Sequence, residues 1–160
     1  MGETSNLFKP SADELRATLV AHARFLKGQA GGKRALLANT DLYRADLRGQ
    51  LLNEADFSGA RLSAAILVET ALVEATFFGA DLSRAMIDRA DLSKTDLRGA
   101  SFRGASLVRA KLRDADIREA VLARVGQDGS NGDFTPEDAN LANIQAAGAD
   151  FANAKIGASF

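Results

Sequence analysis

From Leu37 to Leu122 every fifth residue is Leu, Phe or Ile, eighteen times in succession. Two residues before each of them stands Ala fourteen times, Thr at Thr40, Thr70 and Thr95, and Gln at Gln50. A period of five suits neither regular element. On an α-helix five residues turn through about 500°, so successive apolar residues would step about 140° and cover every face. On a straight strand, residues five apart point to opposite sides. The pattern closes only if the chain turns a corner once per pentad. The large residue and the small one two before it then share a single inward face, and coils stack at about 4.8 Å, the spacing of paired strands. Gly59, Gly79 and Gly99 recur at a spacing of twenty residues, each at the same place after an inward residue, as a turn with positive φ requires. Phe57 and Phe77 fall on the same inward column and are expected to stack.

The ends carry different signals. Ser11 and Glu14 form a capping box, Leu15, Leu19 and Leu26 share one helical stripe, and Gly28 is a stop. A helix over 11–27 is therefore predicted, covering the open end of the coil. His22 lies on that stripe without a catalytic partner set, so it reads as a histidine packed in the cap or at its solvent edge. After Leu122 the beat breaks at 125–138, where three glycines, Asn131 and Pro136 mark a loop. It resumes out of frame at Ala139 and Ala149. Leu122 to Leu141 is nineteen residues, one short of a coil, and Ala146 stands where a large residue is due. The expected organisation is a tail, capping helix and joint at 1–34, repeats at 35–124, a loop at 125–138 and a degenerate final coil at 139–160. No C-terminal cap is evident, so that end is expected to pair with another copy, or else the chain is the repeat module of a longer protein.

Ala45-Asp46-Leu47-Arg48-Gly49, Ala80-Asp81-Leu82-Ser83-Arg84 and Ala90-Asp91-Leu92-Ser93-Lys94 closely resemble the pentapeptide-repeat family, whose signature is A-(D/N)-L-x-x. The resemblance covers residues 35–124. It implies an all-β solenoid, a right-handed quadrilateral β-helix with four pentapeptides per coil, here with an N-terminal α-helical cap. About 4.5 coils would make a rod of about 22 Å. The best-known activity in that family is mimicry of double-stranded DNA by strongly acidic members that bind gyrase, and inhibition of gyrase or another DNA-binding protein is the alternative it implies here.

Charge tests that alternative. Residues 35–124 hold thirteen Lys and Arg against thirteen Asp and Glu, whereas a duplex of about 22 Å carries roughly thirteen phosphate charges. A neutral rod copies DNA poorly, and the near balance of the whole chain, twenty basic to twenty-one acidic, argues against direct nucleic-acid binding. Within the repeats, 41–79 is net −3 and 80–124 net +3, a dipole suited to head-to-tail contact or to a locally charged partner.

Other chemistry is sparse. With no Cys and one His, a disulfide framework, thiol catalysis and zinc–thiolate sites are excluded. The Asp residues just before inward positions (Asp41, Asp46, Asp56, Asp81, Asp91, Asp96 and Asp116) read as turn acceptors for nearby backbone N–H groups, not as acid–base pairs. Lys27–Arg34 lacks the first glycine and the hydroxyl of a phosphate loop, and reads as a flexible joint. Asp128–Asp138 does not match an EF-hand spacing. No apolar run reaches the roughly 20 residues of a membrane span, and the N-terminus lacks a secretory signal. The expectation is a cytoplasmic, bacterial-type, non-enzymatic scaffold for an unidentified protein partner, with no cofactor, metal or membrane. Its candidate interaction surface is the set of apolar residues at outward positions: Ile66, Val68, Val73, Phe78, Met86 and Val108.

Overall fold

The structure is a computed structural model of the 160-residue chain; residues 6–118 and 146–155 are described. The pentads wind as a β-helix solenoid. Thirteen parallel bridges join residues twenty apart, from Leu36–Asp56 to Asp96–Asp116, so each coil takes four pentads. Four walls result. Leu37, Phe57, Phe77, Leu97 and Ile117 run up the first, and Leu42, Leu62, Leu82 and Phe102 up the second. The third wall carries Leu47, Leu67, Ile87 and Leu107, and the fourth Leu52, Leu72, Leu92 and Leu112; all of these side chains are buried. The inward register is therefore as the spacing predicts.

Each pentad is held twice. The residue before the inward one donates to a carbonyl of the coil below, as Asp81 N–H does to Ala60 O (2.9 Å), and the inward residue donates to the coil above, as Leu82 N–H does to Ser101 O (2.7 Å). A tight bond within the pentad, such as Ala85 N–H to Leu82 O (3.1 Å), closes the corner. The space behind that bond suits a small side chain, hence the Ala column; Gln50, at the same position, is half-buried where the alanines of the inner coils are buried. Thr40, Thr70 and Thr95 fit there because each hydroxyl is satisfied, donating to the carbonyls of Leu37, Leu47 and Leu92 at 2.6, 2.8 and 2.6 Å.

The residue closing each corner has positive φ. Gly59, Gly79 and Gly99 do so at 65°, 64° and 69°, but Glu54, Glu74, Arg84, Lys94 and Arg109 also do so, at 57–64°. The left-handed conformation costs a non-glycine residue about 1 kcal/mol, which the inter-coil bond of the same residue offsets (Arg84 N–H to Arg103 O, 2.7 Å). At Gly59 the absent Cβ also leaves room for the Asn39 side chain, which leans up from the coil below.

Helix α1 (Ala12–Leu26) begins with the predicted capping box at Ser11 and Glu14. Leu15 and Leu19 pack against the solenoid core, and His22 is fully buried between helix and coil. The joint that follows is not slack. Gln29 N–H donates to Arg24 O (2.9 Å), Lys33 N–H to Ala21 O (3.0 Å), and Gly32 lies so close to α1 that a Cβ would sit 2.5 Å from the backbone nitrogen of Phe25. The expected flexible joint is corrected to a packed one, held by backbone contact that periodicity does not encode. Ahead of α1, the tail adds a rung: Phe8 pairs with Thr40, and Asp41 N–H donates to Phe8 O (2.7 Å).

At the other end, Lys111 pairs with Asp150 and Asp116 with Lys155, each thirty-nine residues on rather than twenty. Ala146, Ala149 and Phe151 continue the third and fourth walls and pack on the core. Ala146 stands at a core column, as the spacing predicts. Leu122, the nineteen-residue step from it to Leu141, the 125–138 loop and the resumption at Ala139 lie outside the described residues.

Candidate interaction surface

Outward positions flank each inward residue on either side. On the third wall the preceding column reads Asp46, Ile66, Met86, Ser106, and Ile66 and Met86 are direct bridge partners. The following column reads Arg48, Val68, Asp88, Val108. Asp88 separates the two valines and is committed to the wall: it accepts from the Val108 N–H at 3.0 Å and from the Ser106 hydroxyl. Met86 is 47% exposed, whereas Ile66, Val68 and Val108 are half-buried.

Val73 and Phe78 do not join them. Val73 sits on the fourth wall, half-buried, with its N–H bonded to the Asn53 side chain at 2.9 Å. Phe78 is on the first wall, 51% exposed, beneath the Arg98 guanidinium at 5.3 Å. The six residues thus occupy three walls, and the contiguous apolar part is Ile66 with Met86, flanked by Val68. Exposed side chains on the repeats that the sequence reading did not single out are Tyr43, with Arg61 over its ring at 4.5 Å, Leu36 at 67% exposure and Leu51 at 50%. Their signal was available: all three are large apolar or aromatic residues at outward positions.

The recurrent carboxylates are turn acceptors. All seven accept from the backbone N–H two residues on, at 2.9–3.3 Å. In Asp46-Leu47-Arg48, Asp96-Leu97-Arg98 and Asp116-Ile117-Arg118, the arginine two residues on shares the outward face and forks onto both carboxylate oxygens. These arginines hold Asp46 and Asp96 below the usual carboxylate range. They bring Asp116 down to about 2, with Lys155 adding to the effect. Such a group stabilises the fold fully above an unfolded value of about 4, and the contribution is lost as pH falls toward 2. Replacing Arg118 by Ala is expected to return Asp116 to the ordinary range near about 4 in a carboxyl NMR titration. A value still near 2 would assign the shift to other groups.

Other ion pairs climb the walls. Arg61–Asp41 (3.3 Å), Arg89–Glu69 (3.3 Å) and Lys94–Glu74 (3.8 Å) each place a base one coil above an acid. Two of them cross the boundary between the acidic and basic halves, so part of the dipole seen in the sequence is neutralised within the molecule. Among the described residues no group of three His, Asp or Glu converges as metal ligands would, and no helix is long and apolar enough to cross a membrane.

The repeat itself identifies the family. The sequence profile for Pentapeptide repeats, in eight copies, matches residues 33–67, 55–93 and 87–123. The chain belongs to the pentapeptide-repeat family. Similar solved structures include a pentapeptide repeat protein from Nostoc, 24% identical over 93% of this chain and 97% of that one, with a TM-score of 0.58. A second, from the thylakoid lumen of Arabidopsis thaliana, is 26% identical over 59% of this chain and 67% of that one, with a TM-score of 0.55. QnrB1, a plasmid-mediated fluoroquinolone resistance protein, overlaps at 15% identity over 79% of this chain and 66% of that one, with a TM-score of 0.29, too low to bear on function. Comparison with curated proteins gives no match. Among pentapeptide-repeat chains this one therefore shares the solenoid, and its own outward residues must carry any functional reading.

Proposed function

We propose that this chain is a non-enzymatic, cytoplasmic scaffold that binds a protein partner through the third wall of a right-handed quadrilateral β-helix. In this reading, 1–34 is tail, helical cap and joint, and 35–124 is the binding rod. The observation that carries it is the Ile66–Met86 bridge: two apolar side chains stacked at a column where the flanking coils place Asp46 and Ser106. Apolar area at a position otherwise filled by polar groups is what an interface core supplies. The commitment of all seven recurrent carboxylates to turn N–H groups supports the non-enzymatic part.

Ile66→Glu with Met86→Lys tests it. The pair places a base one coil above an acid, as Arg89 and Glu69 do, so the melting temperature is expected to stay within a few degrees of wild type, as surface changes cost about 0.5 kcal/mol or less. Sedimentation equilibrium and partner capture are expected to show association lost. A variant that associates and captures like wild type would reduce this column to ordinary surface.

A further inference from the structure

We propose that His22 is a proton-operated clasp: it holds α1 on the first coil when neutral and loosens it in mild acid. The argument begins with the two groups that it touches. Ala35 N–H, which can only donate, meets Nδ1 at 2.9 Å, and the Asn53 carbonyl, which can only accept, meets Nε2 at 2.9 Å. The docked imidazole is therefore neutral, with its proton on Nε2, and both ring nitrogens are satisfied.

The ring also stands in for backbone. Elsewhere in the solenoid the corner residue nineteen positions earlier donates to this carbonyl column, as Glu54 N–H does to Val73 O (2.9 Å) and Glu74 N–H to Ser93 O (3.0 Å). By that rule Asn53 O belongs to the N–H of Arg34, and His22 takes the place. The imidazole thus closes an edge that has no coil beneath it, where an open strand edge would otherwise remain.

A second proton has nowhere to go. On Nδ1 it would confront the Ala35 N–H donor at contact distance, in a fully buried site. From α1 the ring faces Phe25, stacked at 5.6 Å between centroids, which offers no acceptor. From the coil it faces Glu54, whose charge favours protonation, and Arg34, whose charge opposes it. Burial dominates, with the Asn53 bond and Glu54 opposing it, and the docked ring is held below the usual histidine range. The released ring returns to about 6.5. The sign follows: docking is at full strength above about pH 6.5. It weakens by up to about tenfold per pH unit below that, until the docked ring itself titrates.

The test is hydrogen exchange of the α1 and Ala35 amides in the full chain between about pH 7.5 and 5.5, corrected for intrinsic exchange. Wild-type protection is expected to fall with pH below about 6.5, while His22→Gln, which keeps an acceptor and a donor but cannot titrate, shows no such fall. Flat wild-type protection, or the same fall in His22→Gln, would overturn the proposal. Ring NMR of the unaltered chain guards against a variant that fails to dock. The chain has one histidine, so its titration is unambiguous and is expected to accompany the loss of α1 protection. A ring that titrates while the α1 amides stay protected would also refute the clasp.

Discussion

Leu82→Asp is expected to abolish the folded solenoid. Leu82 is fully buried, midway up the second wall between Leu62 and Phe102; its N–H is bonded to the coil above, and the adjoining Asp81 is bonded to the coil below. The axis around it is a column of Leu, Ile, Phe and Ala, with no donor to meet a carboxylate. An unpaired charge there costs several kcal/mol after relaxation, or else stays protonated and still loses its hydrogen bonds to water. Typical domains hold about 5–15 kcal/mol in total. Because every coil templates the next, a coil that cannot close also leaves its neighbours with an open edge. Circular dichroism melts are expected to lose their cooperative transition, while Leu82→Met, close in volume, keeps it at a cost of less than about 1.5 kcal/mol. A soluble Leu82→Asp protein with wild-type stability would overturn the inward register.

What was legible in the sequence was whatever the beat decides locally. The inward columns, the Asp turn acceptors and the Phe57–Phe77 pairing each depend on residues a fixed step apart, and a repeat states that step many times over. The capping box is legible for the same reason, since Ser11 and Glu14 are three residues apart. The role of His22 was not legible. Its two bonds reach Ala35 and Asn53, thirteen and thirty-one residues away, and depend on how α1 docks on the first coil. The Phe8 rung and the packed joint at Gly32 belong to the same class. Their geometry is set where helix and solenoid meet, outside the repeat.

The candidate surface is a different kind of miss, because the information was present. Val68, Val73 and Phe78 are five residues apart, and five residues is one wall. The beat that folds the chain therefore separates them, and residues that share a wall must be sought twenty apart, as Ile66 and Met86 are. The charge reading has a similar form. Glu69 and Glu74 fall in the acidic half of the sequence and Arg89 and Lys94 in the basic half, yet they pair across one coil step. Exposed pairs of this kind stabilise by about 0–1 kcal/mol each, so their larger effect is on the field that the rod presents, which is more even than the two halves of the sequence suggest.

Replacing Phe77 by Ala is expected to destabilise the solenoid by about 3–5 kcal/mol, the range for truncating a buried aromatic. Phe57 and Phe77 are both fully buried on the first wall, with ring centroids 4.9 Å apart and planes 8° from parallel. The coil spacing of about 4.8 Å imposes that stack, because equivalent residues of successive coils can only lie one above the other. Stacking and burial separate in a double-mutant cycle with Leu, the residue that the same wall carries at Leu37 and Leu97. Phe57→Leu and Phe77→Leu each remove the ring pair and open a void beside the remaining ring. In the double variant the stack is lost only once, and the wall becomes an unbroken aliphatic column. Urea unfolding is therefore expected to show the double variant more stable than the sum of the single losses predicts, by about 0.5–1.5 kcal/mol, the worth of an aromatic pair. Strict additivity would mean that the rings are held face to face by the coil spacing and gain nothing from each other.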